Sequence, residues 1–313
     1  MSLFLQRLFD GLQNGAIYAA LAIALTIVYR ASGVLNLAQG EMAMFSSFLV
    51  VVFVSEPSPA TWGSEYVASL GIPWPVWAAI LAAMALSALA GAVLERTIIR
   101  PLDHSQPLDL VGATMGLFLL VSAGAEKLWS GRLRTVGSPF PSGLDDYIPI
   151  GGARLRYEAL GIVATLLAVV GVLALIHRRT RLGLAFRAVS SAAEAAPLVG
   201  IRVGRVLMAG WALAAALGAL AGGLVAHSIG VDPDNMARLL IFALAAAALG
   251  GLDSPGGALI GGFAFGIGEA MLMGYVPFVS SDVAIIWALG ALVVVLMLRP
   301  RGLFGRAKPA VQR

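Results

Sequence analysis

The residues of this chain that could do chemistry are few and fall into small groups. The richest runs from Arg187 to Ile201, where Ser191 and Glu194 stand at S-x-x-E spacing and are followed by Ala195, Ala196, Pro197 and Gly200. At that spacing the serine oxygen accepts from the Glu194 amide while the Glu194 carboxylate returns to the Ser191 amide, so a short capped helix is predicted to start there. Pro197 interrupts it within about two turns, because proline lacks an amide and clashes with the preceding turn. Gly200 then supplies a left-handed exit. A second group, Asn36, Gln39 and Glu41, breaks an apolar run. It has two readings: a place where freed backbone and side chains line a hydrated pathway, or a motif that ends a helix near a surface. Asn14 either joins that group or makes an interhelical hydrogen bond. Glu269 is fourteenth in the run from Gly256, roughly 20 Å along a helix; it is a gate or a buried structural acceptor. Glu95 and Arg100 are spaced to pair through a turn at Pro101, or to sit on a solvated helix end beside Arg96.

Other chemistries are excluded. Cysteine is absent and the three histidines are scattered, which removes disulfides, thiolate metal sites and a histidine cluster. The two lysines, Lys127 and Lys308, follow no glycine-rich turn, so no phosphate-binding loop is present. A hydrolase using Ser254 and His227 fails because Pro255 denies the next amide to an oxyanion, and His227 falls near the opposite membrane face.

The elements that position these groups follow from composition. Of 313 residues 59% are hydrophobic and 12% charged, against about 25% charged in soluble domains. With a mean hydropathy of +0.89 and 37 glycines, the chain reads as an all-α polytopic membrane protein, a single domain over 1–313. Apolar runs long enough to cross about 30 Å of hydrocarbon lie at 11–30, 34–54, 75–95, 108–129, 158–177, 207–228, 238–251, 256–275 and 282–298, giving eight or nine helices. The runs at 34–54 and 238–251 are candidates for broken or re-entrant elements. Two glycine-bearing polar breaks, Asn36 to Glu41 and Gly250 to Gly257, hint at an internal repeat. The glycines between Gly250 and Gly268 permit close helix approach. Basic residues set the orientation. The stretch from Ser55 to Trp74 has no lysine or arginine and reads as external, as does an ordered loop at 130–157. The loop at 178–206, with six arginines from Arg178 to Arg205, reads as cytoplasmic together with the carboxyl-terminal tail. Nine crossings put the amino terminus outside. No cleaved signal peptide is expected, and the net charge of +4 is loop charge rather than a nucleic-acid surface.

Glu194, Ala195, Ala196 and Gly200 are similar to the Glu-Ala-Ala-x-x-x-Gly coupling-loop motif of bacterial ATP-binding cassette importer permeases. Four further segments occur in the order found in one permease family: Gly33 to Glu41, Glu95 to Leu102, Leu249 to Ala258, and Arg299 to Gly305. Together they resemble the high-affinity branched-chain amino acid permeases of the LivH type, whose motifs urea and short-chain amide permeases share. Gln39 stands where those permeases often have histidine, and Asp253 where glycine is common.

The resemblance implies a non-enzymatic transport subunit of the bacterial cytoplasmic membrane. It would move a small polar nutrient inward, a branched-chain or other aliphatic amino acid or else urea or an amide. It also implies a second, LivM-like permease chain, two cytoplasmic ATPase subunits that hold ATP and Mg2+, an extracytoplasmic solute-binding protein, and no cofactor in this chain. Glu194, Ala195, Ala196 and Gly200 would couple to the ATPase, while Asn14, Asn36, Gln39 and Glu41 would line the pathway. A neutral zwitterion moved by ATP needs no charge relay, which favours a structural Glu269. The alternative is an ion-coupled secondary amino acid transporter, which has no reason to display the coupling motif.

Overall fold

The computed structural model describes residues 2–54, 74–102, 107–129, 133–192, 195–276, 283–299 and 302–305. Its helices are α1 (Ser2–Ser32), α2 (Gln39–Val54), α3 (Val76–Leu94), α4 (Pro107–Trp129), α5 (Tyr157–Arg179), α6 (Arg181–Ser191), α7 (Val203–Ile229), α8 (Pro233–Gly250), α9 (Pro255–Tyr275) and α10 (Ala284–Leu298). A π-helical turn, Glu95–Ile99, and a 3-10 turn, Arg100–Leu102, prolong α3, and a second 3-10 turn, Ala196–Val199, lies between α6 and α7.

Six of the helices are long and apolar enough to cross a membrane, and Gln39–Val54, Met236–Gly250 and Ala284–Leu298 are shorter apolar helices. The predicted apolar runs fall on helices with shifted ends, but among the described residues six, not eight or nine, have the length and composition to cross a membrane. The run at 34–54 becomes α2 from Gln39 onward, because Asn36 Oδ1 accepts the Ala38 amide at 3.1 Å and holds that stretch as a turn. The all-α expectation misses one element. Strands β1 (Tyr147–Ile150) and β2 (Ala153–Arg156) pair antiparallel around Gly151 and Gly152, whose φ angles of 58° and 81° suit the two-residue hairpin turn that matches strand twist. Residues 55–73 of the loop read from Ser55 to Trp74 lie outside the described residues.

Burial sorts the helices into a centre and a periphery. In α1, 83% of the apolar window is buried and in α7 72%, against 28% for α3 and 22% each for α4 and α5. The outer three turn rows of leucine and valine outward, including Leu81, Leu89, Leu119, Leu120, Leu167 and Leu175, as expected where the surrounding solvent is hydrocarbon.

The centre is held by backbone proximity. Gly11 and Gly15 lie four apart on one face of α1, and Gly262 and Gly266 four apart on α9. A Cβ on Gly15 would come within 2.9 Å of the Phe263 Cα, and one on Gly266 would overlap the Gly15 backbone. Helices that meet this closely gain dispersion and backbone contact along the seam. The same device joins α7 to α2, where a Cβ on Gly222 would overlap the Ser47 hydroxyl and approach the Ala43 carbonyl to 2.8 Å. On α2 itself, Phe48 stacks on Trp129 of α4 at 4.8 Å between ring centroids.

The ends of the helices gather into two clusters. At one end, Leu303 and Phe304 donate backbone bonds to Leu249 and Gly250, and Phe186 and Val189 of α6 pack with Val206 of α7 against Ala31 of α1. At the other, Arg154 of β2 donates its amide to Gln6 of α1 at 2.9 Å. There Arg134 and Val231 exchange both backbone bonds, and Phe140 meets Trp77 edge-on at 5.1 Å. The segment from 133 to 156 is thus an ordered cover over one end of the helical body.

Gly266→Ala should lower the stability of the purified chain by about 1–3 kcal/mol, the usual cost of overpacking. Gly268→Ala, two residues on and on the opposite face of the helix, where a Cβ meets nothing within 4 Å, should be close to neutral. Thermal unfolding of both variants in the same detergent checks the pair.

Candidate functional site

The segment after α6 is built differently from its predicted form. Thr180 caps α6, its hydroxyl accepting the Gly183 amide at 3.2 Å, and Ser191 is the last residue of that helix. A helix therefore ends at Ser191 rather than starting there. The physical reason is the upstream cap together with an apolar stripe: Phe186 and Val189 are buried with Ala196 and Val206, and this packing carries the helix through Ser191. Glu194 lies outside the described residues.

Ala195 precedes the 3-10 turn, Pro197 sits within the turn, and Gly200 closes it at φ 81°, the left-handed exit expected. Gly200 donates its amide to the Pro197 carbonyl at 2.9 Å, and Ile201 donates to Ala196 at 3.1 Å. Ala196, 3% exposed, is the plug that fixes the turn to α6 and α7. Leu198 and Val199 project away from it at 87% and 75% exposure. These two large apolar side chains on a fixed turn went unread in the sequence, although their place between Pro197 and Gly200 marks the tip.

Next to this turn, Glu95 and Arg100 pair. Arg100 donates Nε to one carboxylate oxygen at 3.2 Å and Nη2 to the other at 2.7 Å, and the Glu95 side chain is fully buried. The same Nη2 donates to the Gly204 carbonyl at 2.7 Å. The π-helical turn that follows α3 is thereby tied to the first turn of α7, a few residues past Gly200. Single π turns inside helices are frequent at functional positions.

Asn36, Gln39 and Glu41 of the polar break are all at most 1% exposed. Asn36 Nδ2 donates to Gln39 Oε1 at 3.2 Å, and Gln39 Nε2 donates to the Ala214 carbonyl of α7 at 2.9 Å. A void of about 10 Å³ adjoins Asn36, lined also by Ser32, Thr114 and Trp211. That is the space of one water, and the buried Trp211 indole N–H has no protein partner beside it. Asn14 is not part of this cluster: it lies on α1 about 27 Å before Ser32 at 1.5 Å per residue.

Glu269 is 8% exposed and accepts the Tyr18 hydroxyl of α1 at 2.7 Å. The Tyr18 ring packs on Phe242 of α8 at 5.2 Å and Phe265 of α9 at 6.1 Å. Beside it, a cavity of about 420 Å³ separates α9 from α10. Ser254 is the cap of α9, its hydroxyl accepting the Gly257 amide at 3.0 Å. His227 Nδ1 lies 3.1 Å from the Val136 carbonyl at the opposite end of the helical body, so the two do not form a catalytic pair. Among the described residues no three His, Asp or Glu side chains cluster to hold a metal.

A helical body whose central helices meet through glycine, whose outer helices face hydrocarbon, and whose buried Glu95 and Glu269 each have a side-chain partner defines a multi-pass membrane protein. A family profile described as branched-chain amino acid transport system, permease component, matches residues 7–307, and the chain belongs to that family.

The curated relatives agree. The chain is 30% identical over 99% of its length and 98% of the relative's to the high-affinity branched-chain amino acid transport system permease protein BraD of Pseudomonas aeruginosa. It is 28% identical, over 99% of this chain and 97% of the relative, to the permease protein LivH of Escherichia coli K12. With the probable branched-chain amino acid transport permease protein LivH of Methanocaldococcus jannaschii it shares 26% identity, over 91% and 87% of the two chains. A solved chain of PsaBC from Streptococcus pneumoniae in complex with Fab overlays at a TM-score of 0.43 with 16% identity, covering 95% of this chain and 92% of its own.

Arg100→Ala leaves the Glu95 carboxylate buried without its cation and should cost about 3 kcal/mol, the low end for a broken buried pair, since Arg100 keeps a third of its exposure. Adding Glu95→Gln removes the stranded charge and should recover part of that loss. Unfolding of the single and double variants in detergent decides it; equal losses would contradict the pairing.

Proposed function

We propose that this chain is one half of the membrane pathway of an ATP-driven importer that brings a branched-chain or other aliphatic amino acid into the cell. The observation that carries this reading is the exposed Leu198–Val199 turn, locked by Ala196 and Gly200 at the arginine-rich end of the helical body, in a chain of this family. An ATPase groove can grip two rigid apolar side chains; an ion-driven carrier has no use for them. Ala195, Ala196 and Gly200 are the frame of that contact, and Glu194 precedes them in sequence.

Arg178, Arg179, Arg181, Arg187, Arg202 and Arg205 lie around the turn, which supports a cytoplasmic location for it by the positive-inside rule. The hairpin and the 133–156 cover then face outward. In this reading nine helices cross the cytoplasmic membrane, α6 lies along its inner surface, and the amino terminus is outside. The names of the relatives support the substrate class, and membership of a transport system supports the partners: a second LivM-like permease, two ATPase subunits that bind ATP with Mg2+, and a solute-binding protein that delivers ligand to the outer cover.

Transport proceeds by alternating access. ATP closes the ATPase pair, the Ala196–Val199 turn follows the groove, and its movement passes to α7 directly and to α3 through Arg100 and Gly204. Asn36, Gln39 and Glu41 adjoin the pathway at the start of α2, where the water-sized void and the Trp211 N–H support a polar environment; Asn14 contributes from α1.

Gly200→Pro and Leu198→Asp test the coupling. Proline fixes φ near −65° against the 81° found, and aspartate puts a charge on the apolar tip. Each should abolish stimulation of ATP hydrolysis by the loaded solute-binding protein while the chain still reaches the membrane. Unchanged stimulation in both would overturn the coupling assignment. Asn36→Ala should slow uptake across a panel of aliphatic amino acids, and wild-type kinetics on every member would remove Asn36 from the pathway.

A further inference from the structure

The packing leaves one polar group standing at the wall of an apolar cavity. The space of about 420 Å³ between α9 and α10 lies within the ~300–1,000 Å³ typical of small-ligand sites. Phe265, Leu272 and Met273 of α9 and Trp287 and Val294 of α10 line it. Gly268 and Gly290 also line it, and a Cβ on either would meet nothing within 4 Å. The volume is therefore open because side chains are missing from both walls.

Glu269 is in that wall. Its carboxylate takes one hydrogen bond, from Tyr18, out of about four that a carboxylate can accept. Desolvated acids inside a membrane are costly and mark ion or substrate positions. The wall therefore holds an acid, opposite in sign to the ammonium end of a zwitterion, with an apolar chamber alongside.

We propose that this cavity binds the transported amino acid, a site that rests on the importer reading above. The α-ammonium meets the Glu269 carboxylate, and the branched aliphatic chain fills the space between Phe265, Leu272, Met273, Trp287 and Val294. Charge selects this occupant: a lipid tail fills an apolar cavity equally well but makes no use of an acid in its wall. Glu269 is on this account a substrate contact, and Tyr18 a positioning residue that aims the carboxylate.

The test uses the complete importer reconstituted with its ATPases and solute-binding protein, and three probes of one shape: leucine, isopentylamine without the carboxylate, and 4-methylpentanoate without the ammonium. Binding to the detergent-solubilised complex without the solute-binding protein is measured by calorimetry. Glu269→Gln should weaken leucine and isopentylamine at least tenfold and leave 4-methylpentanoate unchanged. Tyr18→Phe keeps the charge and should change leucine binding by a few-fold at most. Gly290→Leu fills the cavity from the opposite wall without touching Glu269, and should lower leucine uptake at least tenfold while the complex stays assembled.

Leucine binding unaltered in Glu269→Gln, or wild-type uptake in Gly290→Leu, overturns the site and leaves the cavity to lipid. If the wild-type complex shows no ATP-driven leucine uptake, the importer reading itself falls. Wild-type uptake with indifferent variants removes the cavity alone.

Discussion

Direct backbone contact between α1 and α9 is the constraint on which the rest of this structure depends. In hydrocarbon, apolar side chains gain nothing by leaving lipid for protein, so helices associate where their shapes let backbones touch. Gly11 and Gly15 on one helix and Gly262 and Gly266 on the other provide that shape. Once the seam is closed, Tyr18 and Glu269 are brought together from residues 251 apart in sequence, and α8 is drawn against both helices. The aromatic group of Tyr18, Phe242 and Phe265 forms at that junction. A residue larger than glycine at the seam would move the carboxylate away from its hydroxyl and alter every contact around it.

Polar groups are used sparingly and at joints. Glu95 with Arg100 ties the end of α3 to α7; Asn36 and Gln39 tie the start of α2 to α7. Both joints converge on the helix that leaves the Leu198–Val199 turn, so a displacement of the turn acts on α2 and α3 through fixed hydrogen bonds rather than through sliding apolar surfaces. At the far end of the body, the hairpin and the segment around Phe140 rest on α1, α3 and α7. α7 thus connects the two ends, and it is among the most buried helices.

The helical class, the approximate positions of the apolar helices and the glycine-mediated packing were legible in the sequence because composition and run length report directly on a membrane environment. So were the Glu95–Arg100 pair, five residues apart across a turn, and the left-handed Gly200, which a tight exit demands. Three features were not. The hairpin at Tyr147–Arg156 had a signal in Gly151–Gly152, but its paired strands of four residues are too short to stand out from loop sequence. The helix expected to start at Ser191 gave way to one that ends there, since the capping pattern of a serine and a glutamate is common and tertiary packing of Phe186 and Val189 overrode it. The partner of Glu269 could not be read at all, because Tyr18 lies on another helix and only the α1–α9 seam makes them neighbours. The cavity beside them is invisible in sequence for the same reason: Gly268 reads there as a packing glycine, whereas it and Gly290 both face open space.

The most direct test of the account is the energy source of transport. The tagged chain, extracted with its associated subunits in mild detergent and reconstituted into proteoliposomes with the solute-binding protein, should take up leucine only when ATP is supplied on the side of the Leu198–Val199 turn, with uptake unchanged after ionophores collapse proton and sodium gradients. Uptake that proceeds without ATP and stops when those gradients are collapsed would contradict it and identify an ion-coupled carrier.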